Sequence, residues 1–115
     1  MSTAKGTSFV TSTLPLIRQY YERADRSALH GALDIGDVLL PGEDRFICEM
    51  KNEKTLKFSE WLKEAETEAA NYAAKWGIDR TPAGVVVAKR RGVTDPAKQY
   101  AVMTFGDFLW LVNAS

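Results

Sequence analysis

The sequence predicts an α/β fold, a mixed central sheet flanked by helices, and three observations carry that prediction. Apolar residues recur at helical spacing in two separated stretches, around Phe9–Tyr21 and Trp61–Trp76. Two short strand-like runs flank the turn-rich quartet Pro41-Gly42-Glu43-Asp44. A valine run, Gly84-Val85-Val86-Val87-Ala88, follows the second helical stretch, so strand, crossover helix and strand imply a parallel pair. With 115 residues and no linker, internal repeat or low-complexity tract, the chain reads as one domain.

Taken in order, Phe9, Val10, Leu14, Ile17 and Tyr20–Tyr21 predict a helix from about Thr7 to Tyr21. Pro15 removes a helical hydrogen bond and clashes one turn back, so the helix either begins near Thr13 or is kinked. Arg23 to Leu29 read as an edge strand, with Gly31 and Gly36 as breakers. Asp37–Leu40 and Phe46–Lys51 form a hairpin. In its second strand, period two sets Glu49 and Lys51 on one face against Phe46, Cys48 and Met50 on the other.

The next helix runs from Ser59 to Trp76, with Ser59 as cap, Glu60 in the first turn and Gly77 as terminator. Trp61, Leu62, Ala65, Ala69, Tyr72, Ala73 and Trp76 make its apolar stripe, and Lys63, Glu66, Thr67, Glu68 and Lys75 fall on the other side. After the buried strand Gly84–Ala88 comes an exposed basic turn, Lys89-Arg90-Arg91-Gly92, then a strand over Gln99–Met103. Thr104-x-x-Asp107 has the pattern of a capping box and opens a last helix through Phe108, Leu109, Leu111 and Val112.

Composition narrows the chemistry. Cys48 is the only cysteine and His30 the only histidine, which excludes an internal disulfide, a thiolate zinc cage and any two-histidine metal site. A metal would have to be held by carboxylates, which suit hard ions such as Mg²⁺ or Mn²⁺. Formal net charge is zero, without the basic excess of a typical duplex binder, yet Lys75–Lys98 is locally basic and Glu43–Glu68 locally acidic. No apolar run approaches the roughly 18–20 residues of a membrane span, and no basic segment leads into an apolar one at the N-terminus, so neither a membrane partner nor a secretory signal is expected. No glycine-rich phosphate loop is present, which ranks a small-molecule α/β binding protein last.

Asp37, Glu49 and Lys51 are the candidate catalytic residues. Cutting a phosphodiester requires a cation against developing negative charge and an aligned water. Asp37 and Glu49, facing each other across a hairpin, could hold such an ion, with the Met50 carbonyl as a third oxygen and Lys51 orienting water or stabilising the transition state. For Asp37 to face Glu49 the loop must hold an odd number of residues, either Gly42-Glu43-Asp44 or Pro41 through Arg45. Read without this chemistry, Glu49 and Lys51 make an ordinary same-face ion pair, and Lys89, Arg90 and Arg91 a solvated turn. Trp61, Trp76 and Trp110 read as core or dimer contacts, and Cys48 as a small buried hydrophobe.

Gly36-Asp37, Glu49-Met50-Lys51-Asn52 and Trp61-Leu62-Lys63-Glu64-Ala65 resemble the PD-(D/E)XK nuclease superfamily. With Ala28-Leu29-His30-Gly31-Ala32-Leu33-Asp34-Ile35-Gly36-Asp37 and Val85-Val86-Val87-Ala88-Lys89-Arg90, the chain is most similar, over nearly its whole length, to the Holliday junction resolvase-like proteins of tailed bacteriophages. The resemblance implies a restriction endonuclease-like fold and Mg²⁺- (or Mn²⁺-) dependent cleavage of branched DNA by a homodimer in the host cytoplasm. Asp37, Glu49 and Lys51 would act as above, and Lys89, Arg90 and Arg91 would hold phosphates. One departure stands out: related resolvases carry a metal-site glutamate in the first helix, often after a phenylalanine, whereas here Phe9 precedes Val10. That ligand is then missing, or supplied by Asp34 or Glu64. The alternatives are an exonuclease or flap nuclease on the same fold, or a DNA-binding or scaffold protein that has lost catalysis.

Overall fold

The computed structural model describes residues 4–27 and 36–114, without the side chains of residues 4–7. The chain runs through α1 (Ala4–Arg18), β1 (Asp25–Arg26), β2 (Val38–Leu39), β3 (Phe46–Lys51), α2 (Phe58–Trp76), β4 (Ala83–Ala88), β5 (Tyr100–Val102) and α3 (Phe105–Asn113). The strands form one sheet in the order β1-β2-β3-β4-β5. Among the described residues only β3 and β4, joined by the crossover through α2, are parallel; the other pairs are antiparallel. The expected α/β class and element order are therefore present.

Period-two alternation in β3 splits the protein into two cores. Cys48 and Met50 face α1 and pack with Phe9, Val10, Leu14, Ala24, Val38 and Leu40. On the opposite face Trp61 and Ala65 of α2 cover Val86 and Ala88. β4 is buried along nearly its whole length, as expected of an inner parallel strand covered on both sides. Its parallel register sets Glu49 beside Val86 and Lys51 beside Ala88, so Glu49 and Lys51 lie on the α2 face.

Gly84 explains how closely α2 approaches. A Cβ at this position would stand 2.8 Å from the backbone carbonyl carbon and oxygen of Ala65. Only a glycine lets the helix backbone rest directly on β4. That contact anchors the turn of α2 on which Glu64 and Glu68 lie, one on each side of Ala65.

Three local features are decided by the structure. α1 begins at Ala4 and passes through Pro15, so Pro15 is not in a first turn. Pro15 gives the ladder no N–H, and around it the Ser12 and Thr13 hydroxyls donate to the carbonyls of Phe9 and Val10. The cap of α2 is Lys57, with no side-chain hydrogen bond, and Ser59 lies inside the helix. Phe58 packs edge-on against Trp61 at 5.8 Å, which brings the chain into the helix one residue early. Glu43, within the turn-rich quartet, is buried. Its carboxylate accepts from Tyr21 Oη at 2.5 Å and from the Arg45 amide, Nε and Nη2 at 2.7–2.8 Å.

Two end signals are met as expected. Gly77 closes α2 in the left-handed conformation at φ 64°, and Thr104 Oγ1 accepts from the Asp107 amide at 3.1 Å to open α3. α3 buries none of its residues and leaves Phe105, Phe108, Leu109 and Val112 exposed. Among the described residues no helix is long and apolar enough to cross a membrane.

Candidate active site

The hairpin register decides where Asp37 goes. Val38 pairs with Cys48, and both side chains enter the α1 core. Asp37 therefore projects to the other face, on the side of Glu49. This is the odd-loop register, and the strands stop at Leu39 and Phe46, which selects the longer loop that includes Pro41 through Arg45. Gly36 sets the approach to the strand. Its φ is +103°, and an added Cβ would come 3.2 Å from the Cys48 carbonyl oxygen. The Asp37 amide donates to that same oxygen at 3.0 Å.

Asp37 Oδ2 accepts the Met50 amide at 2.7 Å. Met50 thus meets the site through its N–H, while its side chain is buried in the α1 core. Glu49 is 6% exposed, and its carboxyl lies within hydrogen-bond reach of both Asp37 and Glu68. Burial first, then the hydrogen bonds and charges of those two acids, push Glu49 far above the usual carboxylate range.

Glu68 is the residue that the sequence reading assigned to the polar side of α2. It is 3% exposed and faces the sheet. The signal lay in the spacing: Glu68 is three residues after Ala65 and four before Tyr72, on the stripe rather than opposite it. Glu64, one turn earlier, faces the next rung of β3, where its Oε2 is 2.6 Å from Lys51 Nζ. Burial alone would lower the Lys51 pKa. The hydrogen bond to Glu64 and the charges of Glu49, Glu64 and Glu53 outweigh it and leave the ammonium raised. Strand and helix thus meet in two rungs, Glu49 opposite Glu68 and Lys51 opposite Glu64.

Val10 is 7% exposed in the α1 core, on the far face of the sheet from Glu49. The third carboxylate beside Asp37 and Glu49 comes from α2, as Glu68. Asp34 lies outside the described residues, as does His30. The basic turn continues β4 at the Lys51 edge, where the Lys89 amide donates to the Lys51 carbonyl at 2.8 Å. Lys89 Nζ is tied within the turn to the carbonyls of Arg90 and Val93, whereas Arg90 and Arg91 are exposed.

The donor set suits a hard divalent ion. Three carboxyls crowd together with the nearest lysine already paired to a fourth, and that crowding, with burial, raises the Glu49 pKa. A divalent cation would offset this concentration of acids. Among the described residues no group of three or more histidine, cysteine or acidic side chains is arranged so that it could hold a metal ion, so the three carboxyls would have to shift to take one. Fold and site together define an α/β protein with a buried acid cluster at one sheet face and a salt-bridged lysine beside it. Comparison with protein-family models, curated proteins and solved structures finds no match.

Proposed function

We propose that the chain is a divalent-metal-dependent, structure-selective DNA endonuclease acting on four-way (Holliday) or other branched DNA. The observation that carries this reading is the convergence of Asp37, Glu49 and Glu68 on one sheet face, one rung from Lys51. The element order agrees with it. A helix, three antiparallel strands, a crossover helix and a parallel fourth strand, with one acid just before the second strand and one on the third, suit the PD-(D/E)XK core that the motifs suggest.

Bound Mg²⁺ or Mn²⁺ would supply positive charge at the scissile phosphate and lower the pKa of water there. Asp37 and Glu49 would hold the ion, with Glu68 completing the carboxylate set and the Met50 carbonyl as a further oxygen. The Met50 amide keeps Asp37 turned toward the site. Lys51, charged and steered by Glu64, stabilises the negative charge that develops at phosphorus and orients the attacking water. Arg90 and Arg91 hold flanking phosphates from the adjoining turn, and Lys89 shapes that turn through its hydrogen bonds. Cutting both sides of a four-way junction needs two such sites, supplied by a homodimer.

The test is a synthetic four-way junction incubated with the purified chain. Mg²⁺-dependent nicks that vanish with Asp37→Asn or Lys51→Ala are expected, and a panel of flaps and free ends separates the related nuclease specificities. A second reading, a DNA-binding protein without catalysis, draws on the neutralisation of Lys51 by Glu64. Binding without cleavage under every divalent ion would favour it.

A further inference from the structure

At the Lys51 edge of the sheet an aromatic ladder rises from the core to the surface. Trp61, 2% exposed, meets Phe58 edge-on at 5.8 Å, and Phe58 meets Tyr100 edge-on at 6.2 Å and 85°. Tyr100 is 40% exposed, so the ladder ends in a ring that is anchored from below and partly open to solvent. The Arg90 guanidinium stands 5.8 Å from its centroid. The Arg90 amide is in turn held by Gln99 Oε1 at 2.6 Å, which ties the basic turn to the start of β5.

The sheet register aligns this ring with the acid cluster. Lys51 pairs with Ala88, and Ala88 with Tyr100, so all three side chains share the α2 face. Two strand spacings separate Lys51 from Tyr100, roughly 10 Å between backbones. The other cation–aromatic pairs, Lys75 with Trp76 and Arg80 with Trp110, sit at the C-terminal end of α2 and on α3, away from this edge.

We propose that Tyr100 and Arg90 form a stacking platform for an unpaired nucleobase beside the phosphate at Lys51. An exposed aromatic face flanked by arginine recognises any base through its π-face, and a duplex interior cannot offer one without unstacking. The platform favours substrates with unpaired nucleotides, such as junction centres, flaps and single strands. This rests on the nuclease reading for its substrate, but its test is independent of cleavage.

The experiment uses the full chain without divalent ions and a 12-nucleotide strand carrying one 2-aminopurine, single-stranded or in a duplex. Base stacking quenches its fluorescence. Wild type and Tyr100→Phe are expected to quench the single strand and leave the duplex unchanged. Tyr100→Ala is expected to lose the quenching and bind the strand about ten-fold more weakly, the scale of one base–aromatic stack. Should Tyr100→Ala fail to fold, Tyr100→Leu keeps an apolar contact for Phe58 and carries the same expectation. Quenching by Tyr100→Leu equal to wild type would overturn the platform, even with Mg²⁺-dependent nicking intact. Quenching lost in Tyr100→Leu, in a protein that nicks no junction, would support the platform while removing the nuclease reading.

Discussion

Lys51 Nζ and Glu64 Oε2 stand 2.6 Å apart, with the lysine side chain 19% exposed and the glutamate side chain 44% exposed. The lysine is therefore a steered cation rather than a neutral amine, and its pKa is raised on balance. In the proposed reaction it acts by charge, and activity falls once it deprotonates. Glu64→Gln removes the leading contribution that raises this pKa, so the alkaline limb of the nicking rate should move to lower pH. At neutral pH the variant should lose about ten-fold or less, from looser positioning, whereas Lys51→Ala should lose about 100-fold or more. A pH–rate profile on a four-way junction measures both. An alkaline limb unmoved by Glu64→Gln would mean that it does not report Lys51.

Glu49 makes the acid cluster a stability liability in the metal-free protein. Its folded pKa is raised far above the ordinary 4.5, so folding takes up a proton at any pH between those values. Its effect is absent below about pH 4.5, and stability is lost progressively as pH rises above that. Glu49→Gln keeps the neutral form permanently, and should stabilise the metal-free protein at pH 8 by about 1–2 kcal/mol, with a smaller gain at pH 6. The same variant should abolish nicking. Added Mg²⁺ should raise the melting temperature of the wild type and not that of Glu49→Gln. Thermal melts at the two pH values, with and without Mg²⁺, decide the matter.

The hairpin was legible because two independent periodicities had to agree. Alternation in Phe46–Lys51 sorts Glu49 and Lys51 from Cys48 and Met50, and loop parity then sets Asp37 with Glu49. Glu68 was not legible by residue type, since a glutamate among Glu66, Thr67 and Lys63 reads as solvent-facing. Its spacing from Ala65 and Tyr72 puts it on the apolar stripe, and the backbone contact of Ala65 with Gly84 presses that stripe onto the sheet and buries it. The N-terminal boundary of α2 was obscured for a similar reason. Ser59 has the chemistry of a cap, but the packing of Phe58 on Trp61 carries the helix past it. Glu43 was hidden because its partners, Tyr21 and Arg45, come from both sides of the turn.

Gly84→Ala should test whether α2 is the element that positions the acids. The new methyl would meet Ala65 backbone atoms at 2.8 Å, and backbone cannot swing aside as a side-chain tip can. Overpacking of this kind costs about 1–3 kcal/mol, which for a domain of this size lowers the melting temperature by roughly 4–8 °C per kcal/mol. Nicking should fall further than stability explains, because Glu64 and Glu68 flank Ala65 and would leave Lys51 and Glu49 together. Gly106 on α3 is the control: nothing lies within 4 Å of its added Cβ, so Gly106→Ala should be neutral or stabilising by up to about 1 kcal/mol. Paired calorimetry and junction nicking separate the two sites.

Glu43 should give the fold an acid-sensitive step unrelated to catalysis. The Arg45 guanidinium, hydrogen-bonded to its carboxylate, is the largest of the influences that bring Glu43 from the ordinary 4.5 down to about 2, against the opposing effect of burial. A depressed carboxylate pKa contributes stability that is fully present above the unfolded value and is lost as pH falls through the folded one. The contribution should therefore be intact above about pH 5 and decline from there to about pH 2. Glu43→Gln keeps the side-chain size but removes the charge that Arg45 and Tyr21 share, and should cost about 2 kcal/mol at pH 7. It should also flatten the acid limb, so that wild type and variant converge in stability near pH 2. Urea denaturation from pH 7 down to pH 2 measures the difference directly. A constant gap across that range would show that the Glu43 carboxylate does not carry this part of the acid response.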